Sequence, residues 1–144
     1  LHRVQLAEAR AAGADGVLLI ARILTDEALV SLHGEALGLG LTPMVEVHGP
    51  GEVEKALRAG SRLIGINNRN LQTFRTDLEV TLGLLSSIPT DVTVVSESGI
   101  RTSAHVQRLG SAGVHGVLVG EVLLRSLDPG KAAGELVGHQ RVAR

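Results

Sequence analysis

The sequence predicts an α/β protein built from parallel βα repeats. Three observations predict it. Short, nearly continuous apolar runs recur at residues 17–20, 44–47, 63–66, 92–95 and 117–119. Such runs fit strands buried on both faces, as in a parallel sheet, but short runs alone do not exclude buried helix turns. The segments between them carry helical caps and helical spacing. Counted from Val17, Met44, Leu63, Thr93 and Val117, successive runs start 27, 19, 30 and 24 residues apart, the rhythm of βα units.

One helix precedes the first strand. After that strand, Thr25-Asp26-Glu27 offers an N-cap and an acidic first turn, with Ala28, Leu29, Leu32, Ala36 and Leu37 at helical spacing. Residues 52–59 carry Val53, Ala56 and Leu57 on one face, and residues 77–86 carry Leu78, Leu82 and Leu85. Thr102 is placed to cap a helix that turns Val106 and Leu109 inward. Pro129 suits the first turn of a last helix, where no N–H is needed. A weak repeat marks the helix ends: Ala12-Gly13, Ala59-Gly60 and Ala112-Gly113, with Gly40 in the same role before Met44. Glycine just past a helix end supplies the left-handed stop conformation.

No linker or low-complexity stretch interrupts the chain. Five βα units are too few for a closed (β/α)₈ barrel, which typically needs ~250 residues. A doubly wound five-stranded sheet is the open alternative. The composition, 44% apolar and 20% charged over 144 residues, is that of a globular domain. A net charge of −1 gives no field for a nucleic-acid backbone, and Phe74, the sole aromatic, gives no stacking platform for single strands. The absence of cysteine excludes disulfides, thiolate metal sites and cysteine nucleophiles. No apolar run reaches the ~18 residues of a membrane span and no signal segment opens the chain, so a cytoplasmic location is expected.

Ligands of parallel βα folds meet the carboxyl ends of the strands. Those ends read Glu46-Val47-His48, Asn67-Asn68-Arg69, Ser96-Glu97-Ser98-Gly99 and Gly120-Glu121, whereas the first run ends in Ala21-Arg22. Glu46 and Glu97 are either solvent-facing strand carboxylates or half-buried ones with a raised pKa, suited to proton transfer. Two such carboxylates on one rim can divide acid, base and orienting roles, though the sequence does not say which does what. Gly99 and Gly120 serve turn geometry, or let the backbone approach a phosphate at the start of the next helix. Asn68 suits a turn; Arg69 suits an anionic substrate or a neighbouring carboxylate. His48 sits at the rim as a neighbour of the site. The histidines show no metal-ligand spacing, and no G-x-G-x-x-G fingerprint supports a nicotinamide site.

These motifs in this order resemble the carboxyl-terminal part of the indole-3-glycerol phosphate synthase family. The resemblance runs from about Leu6 to Val137 and rests on GADGVLLI, PMVEVH, IGINNRNL, VVSESGI and GVLVGEVLLR with Asp128-Pro129-Gly130. It implies five βα units of a (β/α)₈ barrel. Residues 1–144 are then a single, incomplete barrel domain from about the third helix to the eighth. The implied reaction is ring closure of a carboxyphenylamino-deoxyribulose phosphate with loss of CO₂ and water, with no cofactor or metal. The implied roles are Glu46 as general base, Asn67 holding a substrate hydroxyl, and Glu97 and Ser98 lining the site. Arg69 matches the arginine beside Asn67. Gly99, Gly120 and Glu121 match the phosphate cradle, with the Glu121 side chain turned away from the phosphate.

The departures set further expectations. In the family pattern, lysines on the first and third strands and a first-strand glutamate complete the machinery; this chain carries none of the three. Lys55 and Lys131, its only lysines, fall in predicted helices, and Asn70 stands where the family usually has Asp. The isolated chain is therefore expected to be inactive. It is expected to self-associate or to pair with the missing amino-terminal part. The alternatives are a non-catalytic phosphate-binding half-barrel and a related sugar-phosphate barrel enzyme.

Overall fold

The computed structural model describes residues 2–144. Helix α1 (Arg3–Ala11) leads into strand β1 (Gly16–Ile20), a 3₁₀ turn at Ala21–Ile23 and helix α2 (Asp26–Gly38). Then follow β2 (Thr42–Val47), α3 (Pro50–Arg58), β3 (Leu63–Asn67), α4 (Glu79–Leu84), β4 (Thr93–Glu97), α5 (Ser103–Ser111) and β5 (Gly116–Leu118). Two short helices close the chain, α6 (Glu121–Arg125) and α7 (Pro129–Gly134).

The strands form one parallel sheet in the order β1-β2-β3-β4-β5. Each strand therefore pairs with its neighbour in sequence. A doubly wound sheet reverses its strand order at a switch point, and this one does not, so the open alternative is removed. The sheet is an arc of a (β/α) barrel, with β1 and β5 as its free edges.

Local chemistry starts and stops the helices as the sequence predicts. The Thr25 hydroxyl accepts from Ala28 N at 3.2 Å, and Thr102 Oγ1 from His105 N at 3.3 Å. Asp128 Oδ1 accepts from Lys131 N at 2.9 Å, just before Pro129. Gly13, Gly40, Gly60 and Gly113 all hold positive φ. The region from residue 77 to 86 differs: its α-helix is limited to Glu79–Leu84, followed by a 3₁₀ turn at Leu85–Ser87. Asp77 stays outside, its Oδ1 accepting from Glu79 N at 3.0 Å, which sets a turn before the helix.

The sheet's two faces differ. Val45, Val47, Ile64, Ile66 and Val94 are fully buried, in one cluster with Leu29 and Ala36 of α2, Val53 and Ala56 of α3, and Leu109 of α5. The alternate residues face the other way, as the two-residue period of a strand requires. On that concave side Leu18 and Leu118, on the two edge strands, are 46% and 50% exposed. Between them, towards the carboxyl ends, lie Glu46, Gly65, Asn67 and Glu97. No helix among the described residues is long and apolar enough to cross a membrane.

Candidate active site

The strand register builds the site. Glu46 lies opposite Gly65, and Asn67 lies opposite Glu97. Gly65 is essential to this arrangement, because a Cβ there would collide with Glu97 Oε1 and touch Met44 Sδ at 3.5 Å. The missing side chain leaves a recess that the Glu97 carboxyl fills, next to Glu46. Both carboxylates are buried, at 7% and 5% exposure. Burial first, and then the Glu46 carboxylate beside it, push the Glu97 pKa from an ordinary 4.5 up to about 7. Among the described residues Glu97 Oε1 has no hydrogen-bond partner. Two ionised carboxylates cannot bond to each other; one proton shared between them satisfies the pair.

Asn68, next to this pair, is wholly structural. It is 1% exposed. Its Nδ2 donates to Ser96 Oγ and Glu97 O, both at 2.9 Å, and to Ser98 O at 3.0 Å. Its Oδ1 accepts from Thr81 N at 3.2 Å and Thr81 Oγ1 at 2.8 Å. Thr81 Oγ1 and Ser96 Oγ lie 2.8 Å apart, closing a ring of three side chains. This ring ties β3, β4 and α4 together and holds the Glu97 backbone in place. Asn67, by contrast, is half-buried on the concave face, its Oδ1 accepting from Arg69 N at 2.9 Å.

Beside the carboxyl pair a cleft of about 530 Å³ opens at the carboxyl ends of β4 and β5. Arg69, Ser98, Gly99, Arg101, Gly120, Glu121 and Arg125 are among its walls. Glu121 Oε2 lies 3.1 Å from Arg69 Nη2, and Glu121 Oε1 lies 3.3 Å from Arg125 Nε. The hydrogen bond from Arg69, then the charge of Arg125, hold the Glu121 carboxyl below the usual range. Glu121 thus lines the cleft and gathers two arginines there.

Gly99 also differs from expectation. It does not open the next helix, since α5 begins at Ser103 behind its Thr102 cap. Its φ is +78°, and a Cβ would come 2.7 Å from Thr76 Cβ. Glycine is needed there because the loop after β3 presses on it. Ser98, also at positive φ (65°), makes the same tight turn. Gly120 is the residue before α6, as expected. Within the loop, Asn70 Oδ1 accepts from Gln72 N at 2.9 Å and Thr73 N at 3.0 Å, a turn that an Asp would make equally well.

The structure therefore brings Glu46, Glu97 and Asn67 together on the concave face, and Arg69, Ser98, Gly99, Gly120 and Glu121 around the adjoining cleft. The sequence reading missed Arg101 and Arg125, which supply most of the cleft's further positive charge. Arg125's only sequence signal is its i+4 spacing from Glu121. It also missed Gly65, which reads as an interruption in an apolar run. Among the described residues no group of three or more His, Asp or Glu is placed to hold a metal ion.

A parallel sheet wound in sequence order, with its ionisable groups at the strands' carboxyl ends, places the protein in the class of (β/α) barrels. Solved structures share the fold. Thiamine phosphate pyrophosphorylase from Pyrococcus furiosus matches with a TM-score of 0.71 and 23% identity, over 91% of this chain and 61% of that one. 3-Hexulose-6-phosphate synthase from Salmonella typhimurium matches with a TM-score of 0.80 and 18% identity, over 93% and 65%. A mandelate oxidase matches with a TM-score of 0.70 and 16% identity, over 93% and 49%. The chain thus spans less than two thirds of each of these proteins, and at such identities the likeness is one of fold. The family is shown by a different comparison: the model for indole-3-glycerol phosphate synthase matches residues 1–136, and the chain belongs to that family.

Proposed function

We propose that this chain forms the carboxyl-terminal part of an indole-3-glycerol phosphate synthase barrel. The barrel would close the indole ring of a carboxyphenylamino-deoxyribulose phosphate, releasing CO₂ and water. The observation that carries the reading is the buried Glu46–Glu97 pair beside an arginine-lined cleft, in a chain of this family. A pair in which Glu97 titrates at about 7 holds one proton near neutral pH. It can therefore both accept and return a proton while the ring closes and water leaves. Glu46 is assigned as the base, with Glu97 as the group that lends or takes the shared proton. Asn67, on the same face, is assigned to a substrate hydroxyl, and Ser98 lines the site.

The phosphate is assigned to the cleft, against the backbone at Gly99 and Gly120. Here α6 has only five residues, so its dipole is weak. Charge from Arg69, Arg101 and Arg125 is the stronger attraction, and Glu121 sets how those arginines lie. A bound phosphate would compete with Glu121 for Arg69.

The two lysines stand apart from this site. Lys55 on α3 pairs with Asp26 at 3.4 Å and donates to Leu24 O, and Lys131 lies on α7. The 144-residue chain therefore lacks a lysine acid at the concave face. On this reading it binds a phosphorylated ligand but does not turn it over until further strands complete the barrel. The test is ring closure followed by indole fluorescence, in the complete barrel that carries this chain. Glu46→Gln should raise the barrier by ~2.7–5.5 kcal/mol, from the ~10²–10⁴-fold worth of a general base. Near-normal turnover in that variant rejects the assignment.

A further inference from the structure

His48 is half-buried just past the end of β2, its side chain against Glu46, and the mechanism above makes no use of it. Its side chain is 6% exposed. Glu52 Oε2 accepts from the His48 backbone N at 2.8 Å and lies 3.2 Å from His48 Nδ1. On the far side, His48 Nε2 is 3.4 Å from Glu46 Oε1 without a hydrogen bond, and among the described residues it has no other partner. Glu52 in turn lies 3.3 Å from Arg22 Nε and is 20% exposed. The groups facing the imidazole are thus Glu46 from β2 and Glu52 from α3. Arg22 stands behind Glu52, and Glu97 behind Glu46.

The chemistry of these atoms restricts where protons sit. A carboxylate oxygen only accepts, so Glu52 selects the tautomer of neutral His48 that carries its proton on Nδ1. Nε2 then presents a lone pair to Glu46 Oε1. Two lone pairs facing each other inside the protein repel, and a proton between them turns the contact into a bond. That proton rests either on Glu46, as O–H···N, or on His48, as N⁺–H···O⁻.

Resting on the reading of Glu46 as the base, we propose that His48 is its positioning residue and proton store. A proton taken up by Glu46 passes to Nε2, which regenerates the Glu46 carboxylate and forms an imidazolium held between Glu46 and Glu52, its second proton kept on Nδ1 against Glu52. The same proton returns from Nε2 to Glu46 when the departing hydroxyl takes it up, so the ring is again neutral with its proton on Nδ1 and charge balances over the cycle.

Two measurements test this. The first needs no substrate: ¹⁵N NMR of histidine-labelled chain. It should show neutral His48 with its proton on Nδ1, and Glu52→Gln should abolish that preference, because an amide NH₂ can donate to Nδ1. A proton on Nε2 in the unmodified chain overturns the proposal without bearing on the ring-closure reading. The second is the pH profile of turnover in the complete barrel. His48→Gln should lower kcat by about 10- to 100-fold, the range for loss of a partner that orients a working ligand, and leave KM within about twofold. It should also change the shape of the profile. An unchanged profile and kcat overturn the proposal. Were the complete barrel to show no ring closure while the NMR result holds, the function reading would fail and the tautomer assignment would stand.

Discussion

Replacing Glu97 by glutamine tests whether the carboxyl pair really holds a proton. The unfolded chain protonates Glu97 near 4.5, the folded chain at about 7. Between those values the native state binds the extra proton, so stability falls as pH rises through this window. Below about 4.5 both states are protonated, and above about 7 both are ionised, so the effect is flat outside it. The gap, at 1.36 kcal/mol for each pKa unit, is worth about 3 kcal/mol. Water penetration into the cleft side makes this an upper figure. It is nonetheless a large share of the ~5–15 kcal/mol that stabilises a domain. Glutamine keeps the shape of the protonated acid and cannot ionise. Glu97→Gln should therefore match the parent chain near pH 4.5 and exceed it by up to about 3 kcal/mol at pH 8. Urea unfolding at a series of pH values gives the difference curve, which should rise between pH 4.5 and 7 and level off above. A difference that does not vary with pH refutes the shared proton, even if the variant is active or inactive for other reasons.

Other predictions follow from the same geometry. Gly65→Ala fills the recess with a Cβ that collides with Glu97 Oε1; it should cost ~1–3 kcal/mol by overpacking and return the Glu97 titration towards 4.5, read by carboxyl ¹³C NMR. Asn68→Ala removes the centre of the ring with Thr81 and Ser96 and leaves buried hydroxyls and carbonyls unpaired. It should destabilise the chain by about 3 kcal/mol or more in chemical unfolding, against ~0.5 kcal/mol for an ordinary surface change such as Gln72→Ala. Arg69→Ala, which leaves Glu121 without its nearer partner, should weaken inorganic phosphate binding by calorimetry; undiminished affinity would remove the cleft from consideration. The 144-residue chain should self-associate at micromolar concentration by light scattering, because β1 and β5 are open edges and Leu18 and Leu118 are exposed on them. A cooperatively unfolding monomer would count against that.

Much of this protein could be read from short stretches. Thr25, Thr102 and Pro129 start helices through bonds or dihedrals spanning three residues or fewer. Gly13, Gly40, Gly60 and Gly113 end them through a single backbone angle. Such features need no distant partner, so the sequence alone determines them, together with the strand–helix alternation and the polar ends of the strands. The quoted motifs were enough to indicate the family. The choice of a barrel arc over a doubly wound sheet came from the family resemblance and not from pattern or spacing, because strand order is a matter of which distant segments pair. The same holds within the site. Glu46 and Glu97 stand in different strands, and what couples them is the absence of a side chain at Gly65 on the strand between. Arg69 and Glu121 meet across 52 positions of sequence. Asn67 and Asn68, adjacent and identical in type, point to opposite faces of the sheet. One is left on the concave surface, and the other is sealed beneath it with Thr81 and Ser96. Hydrogen bonds and charges act over a few ångströms, so residue type and spacing decide local structure, while only the folded sheet decides which ionisable groups come within reach of one another.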